Sequence, residues 1–170
     1  TSYLDDLMLL VSGVIDRASY FKLITAQINR YYKTDGRIHQ SVAESSFDTW
    51  IKLYRPDENT TNQSVSYYNK GALVALCLDL SLLKHSGGKY RLFDVVKVFY
   101  DKSKMTDDKR FGMSDDDLDD VIGAMMGVDE WQDFYRRYVV GVDELPLIAL
   151  MSEFGVVLDS QKTETAWGVS

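Results

Sequence analysis

The stretch SVSYYNKGALVALCLDLSLLK (residues 64–84) decides the fold. From about Ser66 to His85 apolar residues occupy most of a helical circumference, which predicts a central helix, not one lying on the surface. It ends in Ser86-Gly87-Gly88, with Lys84 and His85 in the last turn, where cations suit the helix dipole. At its mouth stand two tyrosines, then Asn69, Lys70 and Gly71. A tyrosine here either packs its large ring or aims its hydroxyl at a reaction centre. Neighbours on a helix diverge by about 100°, so at most one of Tyr67 and Tyr68 is expected to face a given site.

Working outward, helical spacing dominates. Tyr3, Leu7, Leu10 and Val11 form one stripe, ending near Gly13. Asp16 is placed to cap the next helix, where Tyr20, Leu23, Ile24, Ile28 and Tyr31 recur at three- and four-residue intervals and Lys33 to Gly36 close it. Ser41 and Glu44 have capping-box spacing before SSFDTWIKLY (45–54), a short helix by its pattern. RPDENTTNQS (55–64) is a polar loop that delivers the tyrosine pair. Further helices are predicted over about 92–102, 115–126, 130–140 and 146–154, with Ser114 and Asp117 as a second capping box. Gly127 and Gly141 serve as stops, and Pro146 suits a first helical position. GVVLDS (155–160) has the pattern of a strand. The architecture is all-α, with the 66–85 helix inside.

Composition excludes several function classes. At 170 residues the chain fits one domain, and its net charge of −7 gives no basic surface for nucleic acid. The longest apolar run, residues 72–83, is broken by Asp79 and is shorter than the ~20 residues of a membrane span. The lone Cys77, mid-helix among leucines, behaves as a small hydrophobe. His39 and His85 belong to no metal-ligand pattern, so no metal is expected on this chain. SDDDLDD (114–120) lacks the Gly and Glu of a calcium loop and suits the dipole of a helix start. HSGGK (85–89) follows a helix, not a strand, and is no phosphate loop. Both ends have the look of cuts in a longer protein.

AESSFDTWIKLYRPDENTTNQSVSYYNKGALVALCLDL (43–80) resembles the glycyl aminopeptidase family of zinc metallopeptidases, which commonly carry a PDZ domain after the catalytic domain. Tyr68-Asn69-Lys70-Gly71 corresponds to its Tyr-x-Lys-Gly element, while FYRRYVVGVDELPL (134–147) and LMSEFGVVL (150–158) resemble a later segment. The resemblance implies the helical C-terminal lobe of a thermolysin-like catalytic domain over residues 1–155, and a linker toward a PDZ domain over 156–170. Thr1 and Tyr3 match the end of a string, E-G-aromatic-T-x-Y, whose Glu is a zinc ligand and would lie three residues ahead of Thr1. It also implies zinc in the intact protein, bound outside this chain, and a peptide substrate cleaved at its N-terminal bond. The chain alone would be inactive.

A tyrosine hydroxyl, ~10 in pKa, is a neutral donor at neutral pH, suited to a developing oxyanion. By resemblance Tyr68 has that role, with Tyr67 supporting the cleft wall and Lys70 a helix-surface cation. Gly71 is expected to make a close-packing contact. Asp5, seven residues after the implied ligand Glu, is a candidate to orient a metal-bound His. The face exposed by truncation is a candidate homodimer surface. Bacterial cytoplasm and periplasm stay equally open as compartments. The rival expectation is a noncatalytic interaction module in which Tyr67, Tyr68, Trp50 and Trp131 line a groove for a partner.

Overall fold

The computed structural model describes residues 1–47, 66–105 and 112–159, and the described secondary structure is helical throughout. The 48–65 and 106–111 segments, including Trp50 and the 55–64 loop, lie outside the described residues. The central element is α4 (Tyr67–His85), packed against by α1 (Ser2–Val11), α2 (Arg17–Lys33), α3 (Val42–Phe47), α5 (Leu92–Lys104), α6 (Asp115–Met126) and α8 (Leu147–Glu153). Leu73, Cys77 and Leu82 are sealed completely, and Ala72, Val74, Leu76 and Leu78 nearly so. Burial on every face is what its all-round apolar sequence dictates.

Local signals set the ends. The Asp16 carboxylate accepts from the Ser19 N–H at 2.8 Å and starts α2. Ser41 and Glu44 cap each other reciprocally ahead of α3, as do Ser114 and Asp117 ahead of α6. α4 stops where Gly87 and Gly88 take φ of +64° and +84°, letting the Gly88 N–H return to the Leu83 carbonyl. Gly127, at φ +106°, separates α6 from α7 (Val128–Phe134), and α7 continues as a π-helical turn over Tyr135–Val139. Pro146 stands one place earlier than expected, as the N-cap of α8.

Three expectations are corrected. Val11 is 71% exposed, and Leu23 also lies outside the core, because each falls at the edge of its helical stripe. Residues 156–159 form no strand: Val156 and Leu158 turn inward and Val157 outward, but no described strand pairs with them. Trp131, 3% exposed, packs beside Phe134 and Tyr135 and donates from Nε1 to Asp119, so it lines no groove with the tyrosine pair.

A buried carboxylate ties three elements together. Asp79, 1% exposed on α4, accepts from the Tyr3 hydroxyl of α1 at 2.5 Å, from the Arg91 guanidinium at 2.6 Å and from the Leu92 N–H at the start of α5 at 2.7 Å. A carboxylate in the interior is tolerated only when its oxygens are met in this way. Burial, with Asp79 beside it, holds the Tyr3 phenol well above its ordinary pKa, so it stays a donor. Tyr3→Phe should therefore destabilise the chain by about 1.5–3 kcal/mol, the usual net worth of a hydrogen bond to a charged group, with Arg91 left on the same oxygen. Urea denaturation measures it; an unchanged midpoint would show that the bond contributes nothing net.

Candidate active site

A cleft of about 260 Å³ runs between the start of α1, the outer face of α3 and the first turns of α4. Thr1, Ser2 and Tyr3 form one side, Val42 and Ser46 another, and Tyr67 and Tyr68 stand at its mouth. Its floor is Gly71, Ala72 and Ala75. Tyr68, Ala72 and Ala75 recur at intervals of four and three, so one helical stripe supplies a phenol followed by small side chains. The space exists because those side chains end at Cβ or earlier. A Cβ placed on Gly71 would stand 3.9 Å from Val42 Cγ1, an ordinary contact, so the close packing expected of Gly71 does not require a glycine there.

Tyr68 is 49% exposed and Tyr67 half-buried. Their ring centroids lie 4.1 Å apart with the planes inclined by 33°. Both rings thus line one cleft, against the expectation that only one would face it. The two rings swing together, and each covers apolar area on the other. The Tyr67 ring lies directly against that of Tyr68. Asp5 is exposed on the first turn of α1 and is not among the cleft residues.

Lys70 is where expectation and structure part most. It is not a surface cation but fully buried, and its Nζ donates to the carbonyls of Arg37 at 2.9 Å and Gln40 at 2.8 Å. Those carbonyls belong to the 3₁₀ turn (Asp35–Ile38) and the residues after it, which join α2 to α3. Asp79 was likewise visible in sequence only as a break in an apolar run. A charge inside an otherwise apolar helix is the signal that would have found both, because a buried charge requires partners.

Elsewhere the reactive side chains are quiet. Burial pushes the Cys77 thiol up to about 12, which leaves it protonated and inert. His39 caps the end of the 3₁₀ turn and His85 closes α4, both exposed. Among the described residues no three His, Cys, Asp or Glu side chains converge as a metal site, and no helix is long and apolar enough to cross a membrane.

Burial lowers the Lys70 ammonium from 10.5 to about 8, with Glu44 pulling the other way. Between those values the unfolded chain holds a proton that the folded chain has released, so stability rises with pH across that window. The neutral amine still has two N–H groups, enough for both carbonyls. The expected outcome is that wild type gains stability relative to Lys70→Met from pH about 8 to about 10, and not below pH 8. Denaturant midpoints of the two proteins, compared at each pH, check this; a parallel pair of curves refutes it.

Residues 1–74 match the family model described as M61 glycyl aminopeptidase. The fold matches the crystal structure of an aminopeptidase N family protein from Idiomarina loihiensis, with a TM-score of 0.82 and 37% identity over 94% of this chain. The chain spans only 27% of that protein's length. No curated protein matches the chain. By sequence over its first 74 residues and by fold over nearly all of it, the chain is a peptidase-related piece whose resemblance is to the M61 glycyl aminopeptidases.

Proposed function

We propose that this chain is the helical part of the catalytic domain of a zinc-dependent aminopeptidase that hydrolyses the N-terminal bond of a peptide. In this reading Tyr68 donates its hydroxyl hydrogen to the oxyanion formed as the peptide carbonyl becomes tetrahedral. One observation carries it: Tyr68 is half-exposed at the mouth of a cleft floored by small residues, its ring propped by Tyr67. A phenol sealed in the interior could not reach a substrate; a phenol on an open surface would be screened by water. Tyr68 stands between these extremes.

The zinc that the resemblance implies does not fit the described residues of this chain, which bring no ligand group together. In the intact peptidase it would be held by residues outside the chain, and no step assigned to Tyr68 runs through it. The chain's own share is to shape one wall of the cleft, to keep the phenol at its mouth and to offer a neutral donor there. The role of Asp5 in supporting a metal-bound His rests on the resemblance, since the Asp5 side chain lies outside the cleft.

Tyr68→Phe keeps the ring and removes the donor. In the intact peptidase it should lower kcat by ~10²–10³, the usual effect of deleting one oxyanion donor, with bound zinc unchanged. Tyr67→Phe should cost far less. Steady-state kinetics on a peptide amide, with zinc measured by atomic absorption, decide the matter. Normal turnover by Tyr68→Phe would remove Tyr68 from the reaction.

A further inference from the structure

We propose that Lys70 is a positioning residue of the cleft, clamping the segment that joins α2 to α3 so that Val42 and Ser46 are held at a fixed distance from Tyr68. This inference rests on the reading of Tyr68 given above.

The geometry begins with a side chain in an expensive place. Lysine is almost never fully buried without partners. Lys70 has two, and both are backbone carbonyls of one short segment, Arg37 O and Gln40 O. Carbonyls three residues apart converge on a single ammonium group only if the chain between them is tightly wound, and here the end of the 3₁₀ turn is held so by the His39 and Gln40 N–H groups, which both return to the Gly36 carbonyl. The clamped segment continues without interruption into Ser41, itself 1% exposed. Ser41 is locked to Glu44 in both directions at the start of α3. Any displacement of Gln40 is therefore passed to α3.

α3 in turn presents Val42 and Ser46, four residues apart on one face, to the cleft. Lys70 lies about 200° around α4 from Tyr68, so it does not line the cleft and cannot act on a substrate itself. What it does is tie the opposite wall to the very turn of helix that bears Tyr68. The gap across which a peptide would be held is set by that tie.

The test is a double-mutant cycle in the intact peptidase, using a peptide amide as substrate and bound zinc as a control. Lys70→Met keeps the length and bulk of the side chain and removes both donors. Alone it should lower kcat/KM at least tenfold, speed amide exchange across residues 35–46, and leave zinc content unchanged. On that background Tyr68→Phe should cost less than tenfold, because a phenol facing a displaced wall has little left to lose. Where Lys70→Met does not fold, Ser41→Ala, which frees the same end of α3, is measured in the same cycle with the same expectation. If Tyr68→Phe keeps its full factor on the loosened background, Lys70 is an anchor of the fold only and the proposal is overturned. If Tyr68→Phe is silent in the otherwise unaltered enzyme, the reading of the cleft fails first and this inference falls with it.

Discussion

Two opposite charges buried in α4, Lys70 and Asp79, constrain everything packed around that helix. Charges removed from water cost several kcal/mol each unless the protein meets them with its own polar groups. They are nine residues apart, two and a half turns, and therefore point to opposite sides of the helix. Lys70 gathers the Arg37 and Gln40 carbonyls on one side. Asp79 gathers the Tyr3 hydroxyl, the Arg91 guanidinium and the Leu92 N–H on the other. An apolar helix alone would bury itself in many rotational settings of similar energy. With these two charges in place only one setting satisfies both, which fixes where the tyrosines at its start must stand.

Asp79 also lies on the same face as Tyr68, three turns further along, with Ala72 and Ala75 between them. That stripe of small residues ends in a carboxylate that holds Tyr3. The start of α1 is thus drawn onto α4 at one end of the stripe, while the cleft stays open at the other. The cleft is less a hole left by poor packing than the unfilled part of a groove whose remainder is taken by the Tyr3 ring.

What could be read from the sequence was whatever is settled within a turn or two of chain. The caps at Asp16, at Ser41 with Glu44 and at Ser114 with Asp117 are reciprocal bonds across three residues, so spacing alone specifies them. The glycine stop after His85 is equally local. The tyrosine pair at the start of a buried helix was legible in the sequence, whereas the cleft beside it, lined by Gly71, Ala72 and Ala75, was not. Burial was not legible where it depends on a distant segment. Lys70 is a surface cation by composition and a buried clamp only because residues 37–40 arrive over it. Residues 156–159 carry a strand's alternation, yet a strand is a property of two segments and no second one is described there. Val11 extends a good helical stripe past the point where the core continues beneath it.

The first three positions of the Tyr-x-Lys-Gly element each have a physical reason. Tyr68 supplies the phenol at the mouth of the cleft. Asn69, buried, donates from Nδ2 to the Gln27 carbonyl of α2 at 3.2 Å, and the Gln27 side chain reaches Asp6 of α1 at 2.5 Å. Lys70 holds the approach to α3. Gly71 lines the cleft beside Val42, with room there for a Cβ. Three consecutive side chains point in three directions around one helical turn, so Tyr68, Asn69 and Lys70 engage the cleft, α2 and the α2–α3 segment separately. No one of these contacts defines the phenol's position. Taken together they leave it little freedom, since to shift the turn that carries Tyr68 is to break hydrogen bonds to two other parts of the chain at once.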